Sequence, residues 1–571
     1  MPQQKKRTQS PLEMAFVVSP FESARICSID SEQASRTDGV RAVLTSADVP
    51  GKNNAICGTG DLPLFAEDES SFVGQLVAVV VAERASIARS AADLVQVDYK
   101  PKPPVLEIEE AVKLNSFHSG PIESLTEEVT SPLPDQLEVI ERDFVFPDHV
   151  CLQELSAVES FLTGPGQVSV SVGACDSRAL AKSIASLAGI EEEQVRVNAE
   201  RETEASDGRF LQLFVFAGAA ALCSLKTGQA VRFGTSNVTK DMIIARSGEA
   251  RASVRLTHDG SGKIQFIECN AEVNSGSATG MTESFRSAFI NHFDEVHSSS
   301  RVSVTCSLCR TDRSPGLMGQ MHGTALGAFI SEEMIAQISS RLSVPVHCLR
   351  KINFIHFMDD ESQTDATLRA HREVIAESWD RLIESSSYGE RVEEIIRFNE
   401  SETHYKRGIA AVPVRASEGP VNGPGEFSFG AAVAEVQVDS FTGEVYPLRI
   451  DVLQLSEPEL GPAAQVSEMS ASFLDGMRKY FSLSGGEPAQ ELSDSLLLGS
   501  RAVPGQLRFD LMEHGQDSVR FSSSVSYCLS MSVYQATREA LRGYIKSLSF
   551  VDLPLILDTE SIYNAIHEKD S

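Results

Sequence analysis

From Phe210 to Leu225 the chain is apolar at nearly every position, and the run ends at once in Lys226-Thr227-Gly228. A helix that is apolar all round is stable only where every side is covered, so this stretch demands a large domain folded around it. Gly228, free to adopt the left-handed conformation, stops the helix. Beyond it the pattern predicts a strand at Ala230–Gly234 and a polar turn near Lys240-Asp241. A hairpin from Val254 to Glu268 follows, its Asp259-Gly-Ser-Gly262 centre favouring a tight reversal.

A chain of 571 residues has room for several cores, which divide beyond about 250 to 300 residues. Lys+Arg 50 against Asp+Glu 80 leaves a net charge of −30, which repels nucleic acid and anionic membranes. No stretch of about eighteen residues is free of polar side chains, so no membrane span is expected. The basic residues of MPQQKKRTQSPLEM have no apolar core behind them, and residues 1–13 read as a disordered tail. Ten scattered cysteines suit a reducing, cytoplasmic compartment. In Cys306-Ser-Leu-Cys309 a strand would send residues three apart to opposite faces, so two buried thiols are expected and no metal.

Taken in order, β-rich runs at Met14–Ser19, Ala24–Asp30 and Val40–Thr45 lead to Phe72–Ala82, a continuous apolar strand covered on both faces. Ile87, Ala91, Leu94 and Val95 share one helical face that packs back on it, and Val97–Tyr99 with the prolines Pro101 to Pro104 closes this unit. A second unit begins at Leu137, with strands at Val139–Phe146 and Gln167–Val172. Next come a helix Ser177–Ala188, capped by Asp176 and stopped by Gly189, and a strand Val195–Asn198 that completes a βαβ arrangement. Gln363–Arg397 predicts one acidic helix with a solvated face. Phe427–Leu453 reads as two strands joined at Thr442-Gly443. Helix Gln465–Phe481, strand Gln506–Met512 and helix Ser530–Leu548 follow.

These segments carry a resemblance. ARICSID (24–30), GVRAVLTSADVPG (39–51), FVGQLVAVVVA (72–82) and VDYKPKPPVLEIEEAVKLNSF (97–117) resemble the α/β hammerhead module of the xanthine dehydrogenase and aldehyde oxidase family. KTGQAVRF (226–233), LTHDGSGKIQFIECNAEVNSGS (256–277), LCRTDRSPG (308–316) and LRKINF (349–354) resemble its molybdopterin-binding domain. FNESETHYKRGIAAVPV (398–414) and YQATREALRGYI (534–545) are similar to later family segments. The implied fold is mixed α/β, or α+β: a hammerhead at 14–117, a linker at 118–136, and a first molybdopterin-binding-like domain at 137–414. A junction at 415–426 stands in for a family substructure, and 427–571 is the remnant of a second such domain. The family's opening strand is unmatched, so the first β-pair is expected to carry an unprotected edge.

In the family a molybdenum-bound hydroxide attacks a purine or aldehyde carbon. A glutamate takes the proton, an arginine stabilises charge on the substrate, and a glutamine hydrogen-bonds the metal's oxo ligand. The resemblance puts the glycine-rich cofactor loop on 203–210, the arginine on Gln320, the glutamine near Pro147 and the base glutamate on Ser524. Phe210, Gln320 and Ser524 thus stand at substituted catalytic positions. Pro147, Gly208 and Arg209 stand at cofactor-contacting ones, and no metal ligand is expected.

The implied function is a family scaffold without its molybdenum site, holding no cofactor, or holding molybdenum-molybdopterin if the family activity survives. Two alternatives stand beside it: an active subunit passing electrons to separate iron–sulfur and flavin chains, and a non-catalytic scaffold for a true family member. The spacing C-x₄-C-x₂-C is absent, so no iron–sulfur site is expected in this sequence, and the resemblance implies that an FAD site too would belong to a separate chain. Family members are typically dimers, which implies a second copy or a relative as partner. His322 reads as a packed or surface histidine, and Asn422-Gly-Pro-Gly425 as a turn.

Overall fold

The structure is a computed structural model. It describes residues 10–567 apart from 58–60, 128–136, 148–156, 203–210, 235–247, 281, 297–300, 317, 356–365, 419–425, 481–503, 516–518 and 545–549. Gly208, Arg209 and Phe210, the Lys240-Asp241 turn and Asn422–Gly425 therefore lie outside the described residues.

The first 127 residues form β1 (Leu12–Val18), β2 (Ala24–Asp30), α1 (Glu32–Ser35), β3 (Val40–Leu44), β4 (Glu69–Ser70) and β5 (Leu76–Ala82). They continue with α2 (Ala85–Ala92), β6 (Gln96–Pro101), α3 (Ile108–Lys113) and β7 (Phe117–Glu127). Leu12 and Glu13, expected in the tail, already belong to β1. β5 is buried throughout because its alternating side chains serve separate cores: Val79 and Val81 face one, Val80 and Ala82 the one under α2.

Next come β8 (Glu138–Phe146), β9 (Val158–Gly164), β10 (Gln167–Cys175), α4 (Ser177–Ala188), β11 (Val195–Glu202), α5 (Leu211–Thr227) and β12 (Val231–Phe233). β13 (Ala250–His258), β14 (Ile264–Gly276), α6 (Thr282–Val296), β15 (Arg301–Arg310), α7 (Gln320–Leu342) and α8 (Val346–Arg350) complete this stretch. Seven strands join in the order β11-β10-β9-β12-β1-β5-β3. β1 pairs antiparallel with β5 and parallel with β12, so the unprotected edge expected for it does not exist. α4 begins where Asp176 accepts a hydrogen bond from the Ala179 amide (2.9 Å) and ends at Gly189, φ +64°. α5 packs into the same core and stops before Gly228, φ +71°.

A second sheet has the order β7-β15-β14-β13-β8. The linker expected at 118–136 is corrected here. Its residues up to Glu127 form a strand, because they fill the hydrogen-bonding edge that β15 would otherwise expose. Just past α8, the Asn353 side chain accepts from the Ile264 amide (2.7 Å) and donates to Gly262 O (2.9 Å), pinning the hairpin turn.

The remainder comprises α9 (Ala366–Ser385), α10 (Tyr388–Ser401), β16 (Tyr405–Glu418), β17 (Glu426–Asp439), β18 (Val445–Leu455), α11 (Pro462–Tyr480), β19 (Gln506–Met512), α12 (Ser523–Leu529), α13 (Met531–Arg542) and α14 (Thr559–His567). The single acidic helix expected over 363–397 is two helices, parted at Ser386-Ser387, with Ser387 at φ +52°. Nor is its face simply solvated. Ile375, Trp379, Leu382 and Tyr388 pack against Phe429 and Val433, and the buried Arg391 reaches Glu435 (2.9 Å) and Asp451 (3.0 Å).

The 415–426 junction is corrected too: β16 and β17 pair from Tyr405↔Asp439 to Glu418↔Glu426, so Arg415–Glu418 and Glu426 are strand. β16 thereby belongs to the sheet β16-β17-β18-β19, and the expected boundary after residue 414 cuts through a hairpin. Among the described residues no helix is long and apolar enough to cross a membrane.

Candidate functional site

Of the positions singled out in the sequence, Gln320 opens α7, Ser524 sits on a helix packed against it, and Pro147 follows a strand beside it. This helix is buried along most of its length, and it packs on α6 through Gly323 and Gly327. A Cβ on Gly323 would lie 2.1 Å from Phe285 O, and one on Gly327 2.9 Å from the His292 ring. The two glycines, one turn apart, thus let the helices approach backbone to backbone. Gln320 is the first residue of α7, and its Nε2 is buried without a hydrogen-bond partner among the described residues. One turn of loop earlier, Met318 meets Gly248. Phe146 pairs with Ala250 beside it, which brings exposed Pro147, at the end of β8, toward the same end of α7.

Ser524 lies on α12, which packs on α7; the His322 and Tyr527 rings are 6.1 Å apart. His322 is a buried, packed side chain. Ser524 is 2% exposed, and its helix is bolted to β17 and β18 by neutral groups. Ser526 Oγ donates to Gln454 Oε1 (2.6 Å), and Gln454 Nε2 donates to Ser522 O (2.7 Å) and Ser428 Oγ (3.2 Å). On its other side α12 touches α11, where a Cβ on Gly476 would lie 2.2 Å from Tyr527 O. The structure therefore brings the helices of Gln320 and Ser524 together, while Phe210, Gly208 and Arg209 fall outside the described residues.

Sequence reasoning missed the buried carboxylates of α7. Glu333, wholly buried, meets Arg538 Nη2 (2.5 Å), Arg142 Nη1 (3.2 Å) and Gln535 Nε2 (3.2 Å). Glu332 is bonded by Arg350 Nε (2.8 Å); burial pushes its carboxyl up, and Arg350 opposes the shift. Both are occupied in ion pairs that join α7 to α8 and α13, so neither is free to act as a base. A faint signal was present: Glu-Glu inside an otherwise apolar helix needs buried partners.

Cys306 and Cys309 sit on opposite faces of β15. Cys306 lies in the main core and Cys309 beside Ile108 and Ala111 of α3. Burial pushes both thiols up to about 12. They stay protonated near neutral pH and are poor metal ligands.

Residues 7–103 match the description "aldehyde oxidase and xanthine dehydrogenase, a/b hammerhead domain", and residues 133–354 match "molybdopterin cofactor-binding domain". The chain belongs to the xanthine dehydrogenase and aldehyde oxidase family. It is 29% identical over 425 residues to indole-3-acetaldehyde oxidase of Arabidopsis thaliana, covering 70% of this chain and 31% of that protein. To xanthine dehydrogenase/oxidase of Mus musculus it is 24% identical over 412 residues, covering 72% of this chain and 30% of that one. The chain thus spans about a third of the length of the curated relatives it matches.

Among solved structures of this fold, quinoline 2-oxidoreductase from Pseudomonas putida superposes with a TM-score of 0.75 at 15% identity, over 98% of this chain and 95% of that one. Aldehyde oxidoreductase from Desulfovibrio desulfuricans gives 0.75 at 15%, over 98% and 78%. The mixed α/β architecture is that of the family.

Proposed function

We propose that this chain keeps the molybdenum-hydroxylase scaffold without a working molybdenum centre. One observation carries the reading: Ser524, which the resemblance aligns with the base glutamate, is buried on a helix whose Ser522 carbonyl and Ser526 hydroxyl are held by the Gln454 amide. A serine hydroxyl takes up no proton near neutrality, and none of Ser428, Gln454, Ser522 and Ser526 carries a carboxylate to replace it. At the arginine position Gln320 offers an uncharged amide, so this position supplies no cation to charge developing on a bound substrate. Ser524 and Gln320 lack the base and the cation that the family's reaction uses, and no step is derived through the molybdenum group.

Loss of a general base alone typically costs about 10²- to 10⁴-fold in rate. A cytoplasmic location and pairing with a second copy or a relative belong to the same proposal. The first draws support from the described cysteines, which form no disulfide with one another, the second from the family's habit of assembly. The test is elemental analysis for molybdenum, with fluorescence of released pterin, on protein made in a host that synthesises the cofactor. We expect far less than one molybdenum per chain. Stoichiometric metal, with turnover of a purine or aldehyde that vanishes when it is stripped, would establish an active hydroxylase subunit instead.

A further inference from the structure

Where β7 begins, the hammerhead meets the turn that starts α6, and the contact is made by titratable groups. His118 Nε2 lies 2.9 Å from Gly276 O, which requires the ring proton on Nε2 and leaves Nδ1 to take any second proton. Asp61, on the loop before β4, accepts from the Thr279 amide (2.9 Å) and hydroxyl (2.7 Å). Ser119 donates to Glu283 Oε1 (3.3 Å) and accepts from Arg286 Nη1 (2.8 Å), and Arg286 also pairs with Glu283. His118 is thus faced by Asp61 from the hammerhead loop, by Glu283 and Arg286 from α6, and by Arg310 from β15. Polar contacts join hammerhead, sheet and helix here beside an apolar one, since Ala278 of the same turn is buried in the core that holds Leu62 and Leu64.

We propose that this junction is an acid-released latch, in which a second proton on His118 loosens the hammerhead from the Gly276–Gly280 turn. Burial holds the imidazole below its usual 6.5, and the nearby Arg310 acts the same way, against the opposing pull of Gly276 O, Asp61 and Glu283. The closed junction therefore binds the extra proton less readily than the open one. Its stability is full above the open-state value of 6.5 and is lost as pH falls below that. Burial raises the Asp61 carboxyl, but the Thr279 hydrogen bonds outweigh it and hold the group below 3.8, so Asp61 adds the same sign in a separate, more acidic window. Release matters for the candidate site because α6 is the helix on which α7, and so Gln320, is seated through Gly323.

Hydrogen exchange of the intact chain, corrected for intrinsic rates, tests this at residues 117–120 and 276–280. Between about pH 7.5 and about pH 5.5, protection there should fall in the wild type by up to about tenfold, the most that one proton taken up at an open-state value of 6.5 can give over that range. In His118→Gln, whose amide can still donate to Gly276 O but cannot titrate, it should fall less than about twofold. An equal fall in both proteins, or none in the wild type, overturns the proposal. Should His118→Gln not fold, the wild type decides alone through spectra of ¹³C-labelled histidine. A His118 transition below 6.5 supports the latch, and one at or above 6.5 sinks it.

Discussion

At the scale of single residues the decisive group is Ser524. In an enzyme of this family a carboxylate is tolerated at such a place because the surroundings are built to receive it. Here the side chains that tie its helix to β17 and β18 are uncharged, with Gln454 already holding Ser522 and Ser526. Ser524→Glu is therefore expected to lower stability by about 3–5 kcal/mol at neutral pH, the cost of an uncompensated buried charge. Because burial raises a carboxyl's pKa, the loss should shrink on acidification as the group becomes neutral. Urea denaturation across a pH series reads both. A substitution without cost would mean that the pocket still accepts a base, against the proposed function. Little of this was legible in the sequence: Ser524 could be aligned, but its environment comes from Gln454 and Ser428 on other strands, and no local pattern links them.

At the scale of elements, local signals served well. The Asp176 cap, the Gly189 and Gly228 stops and the Thr442-Gly443 turn each act within a few residues, and the structure has them where the pattern put them. What escaped depended on distant partners. β9 is short and mixed in polarity, and it becomes a strand because β10 and β12 offer it both edges. The acidic helix breaks at Ser387 because Arg391 is drawn to carboxylates on β17 and β18. The same dependence explains Gly323 and Gly327, which are close-packing positions inside α7. Gly323→Ala would force a Cβ within 2.1 Å of Phe285 O and should cost about 3 kcal/mol. Gly389→Ala, in α10 with open space around it, should stabilise by about 0.5–1 kcal/mol. Denaturation midpoints of the two variants should move in opposite directions; equal shifts would deny the close approach of α6 and α7.

At the scale of the whole molecule, the sequence suggested modules in series, and the structure interlocks them. β1 was expected at an exposed edge because chain order says nothing about which later strand will return beside it. β12, more than 200 residues on, does so. The lock is tightened at Gly51. Its amide and that of Lys52 cap Leu187 O and Ser186 O (2.9 Å each), carbonyls that the end of α4 leaves without helical partners. A Cβ at Gly51 would lie 2.0 Å from Ser186 O, so Gly51→Ala must push the hammerhead loop off α4. That should cost about 3 kcal/mol. Because α4, α5, β5 and β10 share one core, the loss should appear as faster exchange in all four elements, not in the loop alone. Gly228→Ala supplies the contrast: its strain is confined to one left-handed residue with open space around it, about 1–2 kcal/mol. If the exchange change in Gly51→Ala stays within residues 45–57, the hammerhead is a separable unit, and a latch at His118 would then be the main tie between it and α6.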